Sequence, residues 1–105
     1  MAYGEAEIEQ DVKDKGLTAP RVTPDSIDLK IVGEQYYVFP GTTVTVCALL
    51  LENGFVVVGQ SAAASKDNFN EHIGMKVARA DARDKIWPLE GYLLRESLHF
   101  HGVLC

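Results

Sequence analysis

The chain has 105 residues, 47% of them hydrophobic and 24% charged, and its ten basic and fifteen acidic side chains leave a net charge of −5. That length makes one small domain with enough apolar material for a core, and the aliphatic content excludes a chain disordered throughout. The charge argues against a general nucleic-acid coat or a basic membrane-surface protein. The acidity is local: residues 1–64 carry nine carboxylates and four bases, residues 65–105 six of each.

The opening MAYGEAEIEQ has neither a basic n-region nor an apolar h-region. The most continuous apolar run, around residues 44–51, is far too short to span a membrane. Cys47 lies inside that run and reads as a buried small hydrophobe, and with Cys105 it makes no disulfide framework. A reduced, intracellular protein with no membrane partner is expected.

Residues 1–16 read as an acidic arm, mobile or ordered only on a partner. Ile8 and Val12 form a thin stripe for a short helix ending at Gly16. GLTAPRV follows as an extended connector, because Pro20 biases Ala19 away from helix. Thr23 and Pro24 then make an N-cap and first helical position, with Asp25 in the first turn. Ile27, Ile31, Val32 and Tyr36 give a partial apolar face, so the expected helix covers residues 24–36; the rival is a short strand over 36–39.

Residues 42–51 and 55–61 are β-rich runs joined by Glu52-Asn53-Gly54, and Asn-Gly predicts a two-residue type I′ hairpin turn. Pairing Glu52 with Phe55 puts Val57 opposite Leu50 and Gly59 opposite Ala48. Val46, Ala48, Leu50, Val57 and Gly59 then share one face, and Cys47, Leu49, Leu51, Val56 and Val58 the other. Both faces are apolar, so both need cover. Two strands alone are marginal in water, and a second subunit is expected to supply what is missing.

From about residue 70 a long helix is predicted, because Met75, Ala78, Ala82, Ile86, Leu89 and Leu93 repeat at spacings of three and four. Gly74, Ala78 and Ala82 are small, as are Ala48 and Gly59, which suits close packing of helix on hairpin. Ile73, Val77 and Ala80 form a second stripe on nearly the opposite side. Pro88 predicts a kink, or a break that starts a second helix. The end, HFHGVLC, lacks this periodicity and is expected to trail off. The fold class is α+β: a helix, a β-hairpin and a long kinked helix packed on the hairpin, in a homo-oligomer. Residues 1–16 are the arm, 17–98 the domain and 99–105 the tail.

Four stretches, GLTAPRVTP, EQYYVFPGTTVTVC, ENGFVVVGQSA and IGMKVARADARDKIWPLEGYLLRESL, resemble a family of small tailed-phage proteins. It is typified by an early product of coliphage N-four and gene sixty-six of Shigella phage Sf-six. The resemblance runs over residues 15–97, and the KIWPLEGYLL block is its most distinctive part. It implies a phage-encoded protein acting in the host bacterial cytoplasm, and it carries no catalytic residues across.

The candidate binding residues lie on the long helix. Lys76, Arg79 and Arg83 share a face, and Trp87 continues it four residues later. Three cations and an indole suit a phosphate-bearing ligand with a planar base, through charge-assisted hydrogen bonds and stacking. Tyr92 and Arg95 are placed to join from a neighbouring subunit. The opposing reading is a solvated helix face whose bases pair with nearby carboxylates. His99, His101 and Cys105 match no closed metal site. The phosphate loop, GxSxG and GxGxxG are absent, and no catalytic residue, metal or cofactor is expected. Two functional classes stand. One is a non-enzymatic phage protein that counteracts bacterial defence by sequestering a small phosphorylated, cyclic-nucleotide-type signal. The other is an inhibitor that binds a host defence protein through the acidic arm or an apolar surface.

Overall fold

A computed structural model describes residues 4–104, with side chains through His101. In chain order it contains α1 (Glu5–Asp14), α2 (Pro24–Lys30), β1 (Ile31–Val38), β2 (Val44–Leu51), β3 (Val56–Ala62), a 3-10 turn (Lys66–Asn68), α3 (Glu71–Asp84) and α4 (Ile86–Leu104). The strands form one antiparallel sheet in the order β1-β2-β3, so the class is α+β.

Helix α2 starts where its cap residues predict. Thr23 Oγ1 accepts from Ser26 N at 3.0 Å, and Ser26 Oγ accepts from Thr23 N at 2.9 Å, a reciprocal capping box. It ends at Lys30 rather than Tyr36, because residues 31–38 add a third strand to the hairpin. The helical spacing over Ile27 and Ile31 competes with β-branched and aromatic residues that suit a sheet, and pairing with β2 decides the contest. Ile27 remains in the core, fully buried.

The hairpin also differs from expectation, by one residue. Leu51 N donates to Phe55 O at 2.8 Å and Gly54 N to Leu51 O at 2.9 Å, which makes a three-residue loop over 52–54. Gly54 closes it with φ of +90°, and Asn53 Oδ1 accepts from Phe55 N at 3.0 Å. Leu49 therefore faces Val57 and Cys47 faces Gly59. Because side chains alternate along a strand, this slip turns every β3 residue to the other face. Val57 and Gly59 join Cys47, Leu49 and Leu51, while Val56 and Val58 join Val46, Ala48 and Leu50.

Helix α3 lies across the first of these faces. Ala78, Ala82 and Ile86 are fully buried against Cys47, Leu49, Leu51 and Val57. Gly59 permits the approach, since a Cβ built there would stand 2.3 Å from Ala78 O and 2.2 Å from Ala82 N. Ala48, expected to help here, sits on the opposite face. Ser61 Oγ donates to Gly74 O at 2.7 Å and ties the start of the helix to β3. Among the described residues, no helix packs on the other sheet face. Tyr37, Leu50, Val56 and Val58 on it are 56%, 42%, 45% and 46% exposed.

The helical run breaks at Lys85, and Pro88 falls in the first turn of α4, where its missing N–H has no intrahelical acceptor to satisfy. Helix α4 then leaves the body, and beyond Gly91 only Leu94 is part-buried through His101. The radius of gyration is 17.1 Å, where a compact chain of this length has about 13 Å. Residues 99–104 continue α4 instead of trailing off, since an established helix propagates at little cost without a strong breaker. Cys105 lies outside the described residues. Among the described residues no helix is long and apolar enough to cross a membrane.

Candidate ligand-binding stripe

Asn70 caps α3, its Oδ1 accepting from Ile73 N at 3.0 Å, and so sets the phase of the helix. With Ala78 and Ala82 turned to the sheet, Lys76, Arg79 and Arg83 fall along the helix side that borders β1 and α2. Three elements distant in sequence deliver carboxylates to the two arginines. Arg83 Nε donates to Asp28 Oδ1 at 2.8 Å, Nη1 to Glu5 Oε2 at 2.6 Å and Nη2 to the Pro24 carbonyl at 3.3 Å. Its side chain is only 15% exposed, and the hydrogen bonds it donates to Glu5 and then Asp28 hold its pKa above the ordinary guanidinium value. Arg79 donates through Nε alone, to Glu34 Oε2 at 2.7 Å, and that bond raises its pKa in the same way. Lys76 is exposed and has no ion pair with a described residue.

Trp87 is part-buried against the core. It borders a largely apolar groove of about 380 Å³ with Ile8, Val12, Val22, Pro24 and Arg21. One wall of that groove is α1. The acidic segment is a helix in which no residue is buried, and it meets the body through Glu5 on Arg83 and Glu9 on Arg21. Arg21 holds Glu9 through both Nη atoms, one at 2.7 Å, and this pairing lowers the pKa of Glu9.

Lys76, Arg79 and Arg83 thus share one side of α3 and are unequally engaged, whereas Trp87, expected to continue the same helix face, lies beyond the break at Lys85 on α4. Tyr92 and Arg95 do not join the stripe within one chain. They lie on the projecting part of α4, both exposed, with Tyr92 at 69%. Sequence reasoning missed Glu5, Asp28 and Glu34 as partners. Their proximity depends on the docking of α1 and α2 and on the third strand, which no local spacing encodes.

Other candidates resolve simply. Cys47 is fully buried, and burial pushes its thiol pKa up, the reverse of an activated nucleophile. His72 is exposed near the start of α3. His99 and His101 are two residues apart on α4, so their side chains diverge.

A three-stranded antiparallel sheet, helix-covered on one face, with a cation-bearing helix side and a projecting C-terminal helix, defines a small α+β protein. The chain belongs to the phage protein (N4 Gp49/phage Sf6 gene 66) family, whose model matches residues 22–98. Helix α1 precedes the matched segment. No curated protein and no solved structure matches the chain significantly.

Proposed function

We propose that this phage protein works by binding, without turnover, in the cytoplasm of the infected bacterium. Its ligand is a small phosphorylated molecule of the cyclic-nucleotide class, captured to blunt a host defence signal. The observation that carries this reading is the unequal use of the three cations. Arg83 is fully engaged and acts as a scaffold. Arg79 uses only Nε, and Lys76 has no carboxylate partner among the described residues. The Arg79–Glu34 pair is exposed at 37% and 45%, and surface pairs of this kind contribute about 0–1 kcal/mol. A phosphate competes with Glu34 at small cost and gains charge-assisted bonds to the Nη groups. Trp87 lies farther along, at the start of α4, where it lines the groove with α1 and Arg21. A second copy completes the pocket, its projecting α4 bringing Tyr92 and Arg95 to the stripe. Counteraction of defence is assigned by analogy with the phage context and not from the site.

Calorimetric titration with cyclic oligonucleotides and cyclic ADP-ribose isomers tests the reading. Binding with the ligand recovered unchanged after denaturation supports it, and altered ligand indicates an enzyme. Arg79→Ala is expected to weaken capture at least tenfold while thermal stability shifts little. Equal affinity in that variant removes the stripe from the site. The second reading, direct inhibition of a host protein, draws on α4, where Tyr92, Leu93 and Phe100 are 69%, 57% and 62% exposed. Silence across the ligand panel puts it first.

A further inference from the structure

Helix α1 rests on the body in the manner of a docked peptide. Glu5, Ile8, Glu9 and Val12 turn to the body, and theirs is the i, i+3, i+4, i+7 spacing by which an amphipathic helix lies in a groove. Beneath them are Arg21, Val22, Pro24 and Trp87, with Arg83 reaching Glu5. We propose that this groove is a docking site for an acidic amphipathic helix of another protein, and that α1 fills it in cis as a displaceable, autoinhibitory occupant.

The cover is loosely held. No residue of α1 is buried, Ile8 is 41% exposed, and Gly4 caps the helix without a side-chain hydrogen bond. Contact runs along the line of Glu5 and Glu9. Ile8 and Val12 lie to one side of that line, on the groove of about 380 Å³, and Ala6 and Lys13 to the other, on a second cavity of about 360 Å³. Two ion pairs thus hold α1 over unfilled space, and salt weakens such pairs. The connector adds little hold, since residues 15–20 are all exposed. The floor is firmer. Trp87 packs against the core, and Arg83 stays fixed by Asp28 and the Pro24 carbonyl whether or not α1 is present.

Charge names the occupant. Arg21 aims both Nη atoms at α1, and Arg83 aims Nη1. Glu9 is the one carboxylate that Arg21 meets among the described residues, and Asp84 lines the same groove without pairing with either arginine. These donors select carboxylates one helical turn apart, with apolar side chains beside them. A helix from a second copy would bring the same Ile8 and Val12 and leave the same void, whereas a partner with bulkier apolar residues at those positions fills it. The proposal does not rest on nucleotide capture, which uses Arg79 and Lys76.

A fluorescein-labelled peptide of residues 4–16, titrated with the full chain and read by anisotropy, tests it. A segment on a short tether presents itself at an effective concentration on the order of millimolar, so the wild type is expected to take the peptide poorly. Glu5→Gln with Glu9→Gln in the protein loosens α1 and is expected to tighten peptide binding roughly tenfold. Ile8→Phe in the peptide is expected to tighten it further, and Glu5→Gln with Glu9→Gln in the peptide to abolish it. Trp87 is the one tryptophan of the chain and gives a second readout. Acrylamide quenching of its fluorescence is expected to rise in the double variant and to fall again with peptide. No binding of the Phe peptide to the double variant at millimolar concentration overturns the proposal, as does equal affinity for the Gln peptide. A Phe peptide that binds no tighter than the native one means that the groove is built for α1 itself, which also overturns it. So does a dimeric wild type that becomes monomeric in the double variant, because α1 then belongs on a second copy.

Discussion

The two faces of the sheet are built from the same strands and nearly the same residue types, and they have opposite fates. On one, Cys47 and Leu49 are fully buried and Val57 is 5% exposed; on the other, the next residues along, Leu50 and Val58, are 42% and 46% exposed. Hydrophobicity does not separate them. The difference lies in what can come close. Gly59 lets the backbone of α3 descend onto the first face, whereas Gly33 on the second meets only the side chain of Leu50. An amphipathic helix buries the face it can approach, and the remaining apolar face stays exposed.

The largest test of this comparison is Gly59→Val. Its Cβ would overlap Ala82 N and Ala78 O, backbone atoms that cannot move without lifting α3. A loss of more than about 3 kcal/mol is expected, enough to unfold a domain of this size under ordinary conditions. Thermal denaturation followed by circular dichroism reads it, and a variant with wild-type melting means that α3 is not held against β3. Next is a pair of neighbours. Leu49→Ala is expected to cost about 2–5 kcal/mol through a buried cavity. Leu50→Ala is expected to cost less than about 1 kcal/mol, because it leaves no buried cavity. Urea titration of each variant measures both losses. Equal losses break the comparison. The smallest expected effect is a gain. Thr45 is fully buried on the covered face, and its Oγ1 has no hydrogen-bond partner among the described residues. Thr45→Val removes that unsatisfied hydroxyl without changing side-chain shape much, and about 1 kcal/mol of added stability is expected. A lower melting temperature shows that the hydroxyl is bonded after all.

Local signals in the chain were legible where local chemistry decides. The Thr23 cap, the turn around Asn53-Gly54, the helix over α3 and an interruption near Pro88 were readable from residue types and spacing. The expected two-residue turn was not the one formed. Gly54 serves equally as the left-handed residue closing a three-residue loop, and nothing within the turn distinguishes the two registers. That slip reassigned every β3 side chain. The end of α2 was misplaced for a related reason, since residues 31–38 become a strand only because β2 is there to pair with them.

The candidate stripe divides in the same manner. Its cations share a helix side by spacing alone, but their accessibility depends on where Glu5, Asp28 and Glu34 arrive from other elements. The helical phase that turns Arg79 and Arg83 together is a property of 3.6-residue periodicity. Their unequal engagement is a property of tertiary docking.

By itself the sequence determined the composition of the parts: one small acidic chain, an apolar hairpin, an amphipathic helix with three cations on one side, and family motifs over most of its length. Tertiary structure decided the hairpin register, the conversion of residues 31–38 to a third strand, the pairing of Arg79 and Arg83, and which apolar face of the sheet is covered. Periodicity is written in neighbouring residues, but register and cover depend on contacts between segments far apart in the chain. Their energies are settled only when the backbone of α3 reaches Gly59.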